Sequence, residues 1–179
     1  IFGAAAITPE ALNYVQTPGF QSGENKETVV NASFTFKGAE YGVQSPFASE
    51  GIALNVGGEY RKESLSLEVD NAFLSGDLAG QGGATLPIRG SYNVKEVFGE
   101  IQLPLVSDRP FFNELTVNGG YRYSSYSTAG SAHSYKGELV WAPVSDVRFR
   151  GGYNRAVRAP NINELFQARP ALPQGTDAQ

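Results

Sequence analysis

The stretch Leu115–Tyr126, LTVNGGYRYSSY, decides the fold because its side chains alternate with a period of two. Successive side chains of a β-strand point to opposite faces, so the alternation predicts a strand that is apolar on one face and polar on the other. The apolar face carries Leu115, Val117, Gly119, Tyr121 and Tyr123, and the other carries Thr116, Asn118, Gly120, Arg122 and Ser124.

Five further segments alternate in the same way. Strands of soluble proteins average about 5 or 6 residues, whereas a tilted strand that crosses a bilayer needs about 9 to 11. Several of the segments reach the longer range. We therefore predict an all-β fold, an antiparallel up-and-down meander of about six long strands. The other five segments lie at 28–37, 52–61, 96–103, 135–141 and 147–154.

The composition excludes several classes of protein. The net charge is -4, without a basic tract, so the electrostatic footprint of a nucleic-acid-binding protein is missing. No apolar run approaches the roughly 18 residues of a transmembrane helix. Cysteine is absent, which excludes disulfides and a cysteine nucleophile. The first residues, IFGAAAITPE, lack the basic start and long apolar core of a signal peptide.

No catalytic chemistry is indicated, and we expect neither a metal nor a cofactor. His133 is the single histidine, and we place it in a loop without a recognisable serine or aspartate partner. Glu96 and Glu100 share a strand face and could form an acid–base pair, but lining of an interior is the favoured interpretation. The acidic stretch 70–77 misses the spacing of an EF-hand loop. The chain is therefore not expected to be an enzyme.

The connections between strands differ in length in a way that suggests an orientation. Those at 106–112 and 142–146 are short and contain proline or aspartate, whereas the one at 66–90 is long and glycine-rich. Outer-membrane barrels have short periplasmic turns and longer extracellular loops. With 142–146 as a periplasmic turn, the second, fourth and sixth strands run outward. The segment 128–133 is then an extracellular loop, and the long periplasmic connection at 38–51 is an exception.

Three motifs, in sequence order, resemble the barrel of TonB-dependent outer-membrane receptors. They are SYNVKEVFGEIQLPL at 91–105, LTVNGGYRYSSYS at 115–127 and YKGELVWAPVSDVRFRGGYNRAVRAPNINELF at 135–166. The resemblance implies active uptake of a scarce nutrient, such as a ferric siderophore, at the cell outer membrane of a Gram-negative bacterium. Barrels of this kind have about 22 strands. The resemblance therefore also implies a segment of a large transmembrane β-barrel, without its plug domain.

The same resemblance implies the partners and the domain organisation. The partners are outer-membrane lipid, the remainder of the receptor barrel and its plug, TonB acting indirectly through the plug, and a small-molecule ligand such as an iron chelate; no nucleic acid is expected. We expect residues 1–27 to end a preceding extracellular loop, 28–157 to form the barrel segment and 158–179 to begin another extracellular loop. Ligand selectivity is expected in 70–90, 129–133 and 158–179.

Charged side chains on the predicted polar faces are the candidates for lining the barrel interior, and the arginines among them face either that interior or the extracellular rim. Arginine forms paired hydrogen bonds with carboxylates and anionic ligands. Bracing of the wall by ion pairs is the favoured interpretation, and attraction of an anionic ligand is the alternative. The candidates are Glu59, Arg61, Glu96, Glu100, Arg122, Lys136, Glu138, Arg148, Arg150, Arg155 and Arg158.

Aromatic residues near the strand ends are expected to form girdles at the two membrane interfaces, where amphipathic rings are favoured. Packing in the core of a soluble sandwich is the alternative. The glycine pairs at 119–120 and 151–152 either let a neighbouring group approach closely or mark a bulge. The expected girdle residues are Tyr123, Tyr126, Trp141 and Tyr153.

The stretch RAPNINELF, residues 158–166, predicts the end of strand pairing followed by a capped turn of helix. Pro160 cannot donate to a strand ladder, and Asn161 with Glu164 has the spacing of a capping box. We expect this loop-base motif to fold the loop toward the barrel mouth, with direct ligand contact the less favoured role. The motif consists of Arg158, Pro160, Asn161, Glu164, Leu165 and Phe166.

Two further functions stay open at this point. One is a passive porin wall, and the other is a soluble β-sandwich that binds carbohydrate or protein. A soluble hydrolase is the least favoured, since no nucleophile motif is present. A piece of six strands with an exposed apolar face would also aggregate unless the rest of a barrel accompanied it.

Overall fold

The computed structural model describes residues 8–80 and 82–166. Within these residues, no helix is long and apolar enough to span a membrane. The strands are β1 (Gln21–Lys37), β2 (Ala53–Val69), β3 (Ile88–Arg109), β4 (Phe112–Tyr126), β5 (Gly130–Val144) and β6 (Val147–Arg155). The helices are α1 (Pro9–Val15), α2 (Asn71–Ser75) and α3 (Ile162–Phe166), and a 3-10 turn covers Gly38–Tyr41.

The strands form one sheet in the order β1-β2-β3-β4-β5-β6, which confirms the predicted all-β meander. The pairs β3–β4, β4–β5 and β5–β6 are antiparallel. The shortest strand, β6, has 9 residues and β3 has 22, so each reaches the length that a tilted strand needs to cross a bilayer. The described part of the chain contains no second sheet against which this one could pack as a soluble sandwich.

The chain divides into two compact units, which are described separately. The wall unit comprises residues 27–63 and 92–160, and the loop unit comprises the described residues of 1–26, 64–91 and 161–179. In the wall unit, the two-residue turns 110–111 and 145–146 lie at the same end of the sheet, which we call the turn end. The opposite end, where residues 127–129 join β4 to β5, is the loop end.

The β4–β5 connection corrects the prediction of an extracellular loop at 128–133. The strand β5 begins at Gly130, whose φ of 76° permits a turn of only three residues. His133 consequently lies on β5, paired with Tyr123, and not in a loop. The predicted orientation relied on longer connections at the extracellular end than at the periplasmic end. Because the β4–β5 connection is short, the connection after β2 is the long one that still supports this difference. The orientation in the membrane stays a prediction.

The start of β1 is also earlier than predicted. The strand begins at Gln21, inside a stretch whose polar residues indicated a loop. Strand pairing uses backbone groups, so a strand can continue through side chains that are polar on both faces when both faces are solvated. The short helix considered near the start does form, because Thr8 accepts a hydrogen bond from the Ala11 N–H and Pro9 occupies the first turn.

The long connection between β1 and β2 is held by backbone hydrogen bonds in the wall unit. The Gly38 N–H donates to the Ile52 carbonyl, and the Ser107 N–H donates to the Phe47 carbonyl. The register of β3 shifts between Pro104 and Val106, which leaves Leu105 as an extra residue. The Ser45 hydroxyl donates to the Leu105 carbonyl at 2.7 Å. This connection is long because it covers a bulged part of β3 at the turn end.

Candidate functional site: the polar face of the sheet

Burial in the wall unit is the reverse of that in a soluble protein. On the polar face, Glu96 is 7% exposed and Thr116 is 5% exposed. On the apolar face, Val97 is 58% exposed, Leu139 48% and Phe149 55%. Side chains crowd together on the side that carries the charges, and the large apolar side chains are left uncovered. A sheet with this distribution needs an apolar surrounding for one face and a polar interior for the other.

Arg122 is fixed by contacts with β3 on the polar face. Its Nη1 lies 2.8 Å from Glu96 Oε2, and its guanidinium carbon lies 5.1 Å from the centre of the Phe98 ring. The second carboxylate oxygen of Glu96 accepts a hydrogen bond from the Ser124 hydroxyl at 2.7 Å. The Phe98 ring in turn covers Gly57, where a Cβ would lie 2.6 Å from the ring. The buried carboxylate is therefore satisfied on both oxygens.

Lys136 on β5 reaches across β4 to Glu100 on β3. Gly120 stands between them in the register, opposite Glu100 on one side and Lys136 on the other. The Lys136 Nζ lies 2.9 Å from Glu100 Oε1. A Cβ at Gly120 would lie 2.7 Å from Lys136 Cε. The register is continuous through Gly119 and Gly120, so this glycine pair serves close approach and does not mark a bulge.

Glu138 joins a second group of polar contacts. Its Oε1 accepts a hydrogen bond from the Asn118 amide at 3.1 Å and lies 3.7 Å from Arg150 Nε. Asn118 and Glu138 border a cleft of about 410 Å³ in the wall unit. The cleft is lined by amide, hydroxyl and carboxylate groups and by Lys136, together with the apolar residues Ala53, Leu54 and Ile101. Such a surface can brace the wall and hydrate or bind a polar solute.

The structure adds two acidic partners that the sequence did not single out. Arg148 lies 2.7 Å from Glu114, and Arg61 lies 3.7 Å from Glu63. Both glutamates occupy polar-face positions just outside the predicted strand segments, so extending the alternation by one or two residues would have identified them. The predicted candidate Glu59 lies on the same face of β2 as Arg61 and Glu63, but within the described residues it forms no ion pair.

Arg155 and Arg158, the last two predicted candidates, do not lie in the polar-face rows of the strands. Arg155, the last residue of β6, is paired with Tyr135 and so has the register of the apolar face. This excludes Arg155 from the interior row and leaves the extracellular rim as its predicted place. Arg155 also borders a smaller cleft of about 250 Å³ beside Arg122 and Lys136. Arg158 follows the end of β6 and is not part of the strand.

Aromatic rings on the apolar face cluster near both ends of the wall unit. At the turn end, the Trp141 ring stacks on Phe149 at 5.5 Å, and its Nε1 donates to the Phe111 carbonyl at 2.9 Å. Toward the loop end, the Tyr123 ring lies 5.0 Å from His133. Tyr135 and Tyr153 form a third contact at 6.1 Å.

Tyr126 does not belong to this apolar face. The register of β4 with β5 is continuous from Tyr121 to Tyr126, so the odd and even positions keep their sides. Tyr126 therefore lies on the side of Arg122 and Ser124, opposite to that of Tyr123. Its assignment to the girdle was wrong, because side chains of a continuous strand alternate and position 126 falls on the side opposite to position 123.

In the loop unit, the predicted capping box is confirmed. The Asn161 N–H donates to Glu164 Oε2 at 3.0 Å, and the Glu164 N–H donates to Asn161 Oδ1 at 2.9 Å. The helix α3 that follows places the Phe166 ring against Gly90, where any Cβ would overlap the ring. The part of this loop after Phe166, where a share of the ligand selectivity is expected, lies outside the described residues.

Asp70 orders the connection that follows β2 in the loop unit. Its Oδ1 accepts the Phe73 N–H at 3.0 Å at the start of α2, and its Oδ2 accepts the Phe20 N–H at 2.7 Å. These hydrogen bonds, first that from Phe73 and then that from Phe20, lower the pKa of Asp70 below its ordinary value of 3.8. The negative charge is thus favoured where two backbone donors converge.

A comparison with known families identifies the chain over nearly its whole length. The sequence model of the family described as "TonB dependent receptor-like, beta-barrel" matches residues 5–178. No curated protein and no solved structure matches the chain.

Proposed function

We propose, since this chain belongs to the TonB-dependent receptor-like β-barrel family, that it forms part of the wall of an outer-membrane receptor that takes up a scarce nutrient such as a ferric siderophore. The family is one of outer-membrane receptors that transport, and not one of enzymes. In the proposed function, TonB supplies energy through a plug domain, and the rest of the barrel completes the sheet at β1 and β6.

The observation that carries this proposal is the reversed burial of the wall unit. Glu96 is buried and hydrogen-bonded by Arg122 and Ser124, while Val97 beside it is exposed. A buried carboxylate needs polar partners, and an exposed apolar row needs lipid or another apolar surface. A transmembrane wall provides both conditions at once. A porin wall would provide them too, so the family match supports the choice of active transport.

The polar face supports a role in bracing the passage, with ligand attraction as a secondary role. Five of its cations, Arg61, Arg122, Lys136, Arg148 and Arg150, each lie within 4.0 Å of a glutamate. Paired charges on neighbouring strands hold the wall together and leave little net positive charge for a ligand. We propose that the selectivity for the nutrient lies mainly in the loop unit, in the connection from Asp70 to Gly90 and in the loop after Arg158.

Uptake measurements test the proposed function. Cells that express the complete protein encoding this chain are starved of iron and supplied with radioactive iron bound to catecholate or hydroxamate chelators. We expect uptake of at least one chelate, and we expect it to cease when TonB is inactivated. Uptake that continues without TonB would indicate a passive pore. If no chelate is taken up but another nutrient enters in a TonB-dependent way, the proposed ferric siderophore would be wrong and the proposed active transport would stand.

Membrane placement is tested independently. The complete protein should fractionate with the outer membrane and should migrate differently in denaturing gels before and after boiling, as folded barrels do. A chain that is monodisperse without detergent, with its apolar face covered by another sheet, would contradict the barrel.

A further inference from the structure

In the central part of the wall unit the carboxylates are confined to the polar face, whereas cations occur on both faces. On β2 up to Glu63, on β3 from Tyr92 to Pro104 and along β4 to β6, every glutamate lies on the polar face. In the same ranges the apolar face carries the cations Lys62, Lys95 and Arg155, all exposed, of which Lys62 and Lys95 lie on neighbouring strands. The glutamates are Glu59, Glu63, Glu96, Glu100, Glu114 and Glu138.

Pairing follows the same division. The cations of the polar face listed above are paired with glutamates, whereas within the described residues Lys62 and Lys95 form no ion pair. Their own face offers no carboxylate in this part of the wall. An unpaired ammonium on an apolar surface is costly unless its long stem carries it to a polar or anionic layer.

The two lysines lie close to each other on neighbouring strands. A Cβ at Gly99 would lie 3.8 Å from Val56 Cγ1. A Cβ at Gly57, the next residue of β2, would lie 2.6 Å from the ring of Phe98, the preceding residue of β3. The two contacts together show that β2 runs antiparallel to β3, with Val56 beside Gly99 on the apolar face.

Antiparallel strands run in opposite directions, so four residues further Tyr60 lies beside Lys95. Lys62 is then the diagonal neighbour of Lys95, at a separation of roughly 7 to 8 Å or somewhat less between their Cβ atoms. Two ammonium groups at this separation can contact one headgroup.

The depth of Lys95 matches a membrane interface. Lys95 is opposite Ser125, and Ser125 is opposite Ser131. Ser131 precedes Trp141 by ten residues on β5, about 34 Å along a strand that rises ~3.4 Å per residue. With a strand tilt of about 40°, this is about 26 Å along the membrane normal on β5, and the two strand steps to β3, each ~4.8 Å wide, change the value for Lys95 by about 6 Å. The separation is therefore comparable to the ~25 Å apolar band of outer-membrane barrels. If Trp141 marks one interface, Lys95 lies at the other.

Tyrosines lie on both sides of the lysine pair, an arrangement that is typical of residues at the level of lipid headgroups. By the register derived from the Gly57 and Gly99 contacts, Tyr60 on β2 lies beside Lys95. Tyr123 on β4 lies opposite Val97, one diagonal step from Lys95. The Tyr123 ring contacts His133, which extends the aromatic surface to β5. Amphipathic rings are enriched at the headgroup level of membranes.

We propose that Lys62 and Lys95 form a binding site for the anionic phosphate headgroup of a membrane lipid, on the outer surface of the wall near its loop end. The inference rests on the membrane placement contained in the proposed function. The charge of the pair and its lack of acidic neighbours fit a phosphate, and its position on the apolar face fits a lipid better than a soluble anion. The lipid would anchor β2 and β3 at the interface.

Native mass spectrometry of the complete protein in detergent tests the site, with dioleoyl phosphatidylglycerol and dioleoyl phosphatidylcholine as probes. The unmodified protein should retain phosphatidylglycerol in preference to phosphatidylcholine. The variant K62A/K95A should bind phosphatidylglycerol about 30-fold more weakly, since each lysine near an anionic surface contributes about fivefold. The variant K62R/K95R should retain binding. The matched control is K37A, which removes a lysine at the end of β1 that leads into the turn-end connection.

Unchanged binding in K62A/K95A, or an equal loss in K37A, would overturn the proposal. A shift in mobility on boiling shows which variants are folded, and K62R/K95R keeps the test valid if the alanine variant does not fold. TonB-dependent uptake is measured on the same variants. Uptake without lysine-dependent lipid binding would refute this site alone, and lysine-dependent lipid binding without TonB-dependent uptake would refute the proposed transport alone.

Discussion

The ammonium of Lys136 lies 2.9 Å from the carboxylate of Glu100, although a whole strand separates the two residues. The stem of Lys136 crosses that strand at Gly120, the residue that stands opposite both of them. The ion pair and the glycine are therefore one arrangement, in which the absence of a side chain on β4 lets β3 and β5 be linked directly.

Replacing Gly120 should disturb this link. In Gly120→Val, the new side chain would occupy the path of Lys136, displace its ammonium from Glu100 and crowd the polar face. We expect the free energy of unfolding to fall by about 1–3 kcal/mol, as for other overpacked sites. Urea unfolding of the complete protein in detergent measures the change. Gly137→Ala is the matched control, because a Cβ there meets nothing within 4 Å. Equal effects of the two substitutions would show that the Lys136 path is unimportant.

The buried carboxylate of Glu96 should matter more than the exposed one of Glu100. Glu96→Gln weakens the hydrogen bonds to Arg122 and Ser124 in a buried place, so we expect a loss of about 1–3 kcal/mol in the free energy of unfolding. Glu100→Gln affects an ion pair whose two side chains are both more than half exposed, so the loss should be about 0–1 kcal/mol. The same urea titration compares the two variants, and a larger loss for Glu100→Gln would contradict the ranking.

The connection after β2 should loosen in acid. The pKa of Asp70 is lower in the folded protein than its ordinary value of 3.8, because the carboxylate accepts the Phe73 and Phe20 N–H groups. A lowered pKa stabilises the fold above the unfolded pKa, and this stabilisation is lost as the pH falls through the folded pKa. Hydrogen exchange of the Phe20 and Phe73 amides should therefore accelerate below about pH 4, after correction for intrinsic rates. In Asp70→Asn this additional acceleration should disappear; if it persists, another group is responsible.

Trp141 should lie at a membrane interface. Its ring contacts Phe149 on the apolar face, while its Nε1 reaches the Phe111 carbonyl at a turn, so one edge is apolar and the other is polar. The fluorescence difference between the complete protein and its Trp141→Phe variant isolates this residue. Lipids brominated near the headgroup should quench this difference more strongly than lipids brominated at the chain ends. Stronger quenching from the bilayer centre would place Trp141 outside the girdle.

The capping box should hold α3 in place. Asn161→Ala removes the oxygen that accepts the Glu164 N–H, and loss of such a cap costs about 1 kcal/mol of helix stability. The Glu164 amide should then exchange several-fold faster, and the Phe166 ring should lose its fixed contact with Gly90. Asn161→Asp keeps an acceptor and should preserve the slow exchange. Fast exchange in Asn161→Asp as well would indicate that the amide donor of Asn161, and not its oxygen, is the important group.

The fold class followed from the sequence because strand alternation is local. The alternation in Leu115–Tyr126 identifies the two faces of the strand even when the partner strand is unknown. The spacing of Asn161 and Glu164 likewise identifies the capping box without any information on tertiary contacts. Both features depend on residues a few positions apart, whose geometry the backbone conformation fixes by itself.

The tertiary structure decided what depends on register and on strand ends. Only the pairing of β4 with β5 placed His133 on a strand, and only the β3–β4–β5 register brought Lys136 to Glu100. Polar residues occur in strands and in loops with nearly equal ease. Where both faces of a strand are solvated, apolar and polar residues therefore do not alternate, and the sequence does not reveal where the strand ends. Which carboxylate meets which cation is set by strands distant in sequence. The sequence therefore determined that one face is charged, and the structure determined how those charges pair.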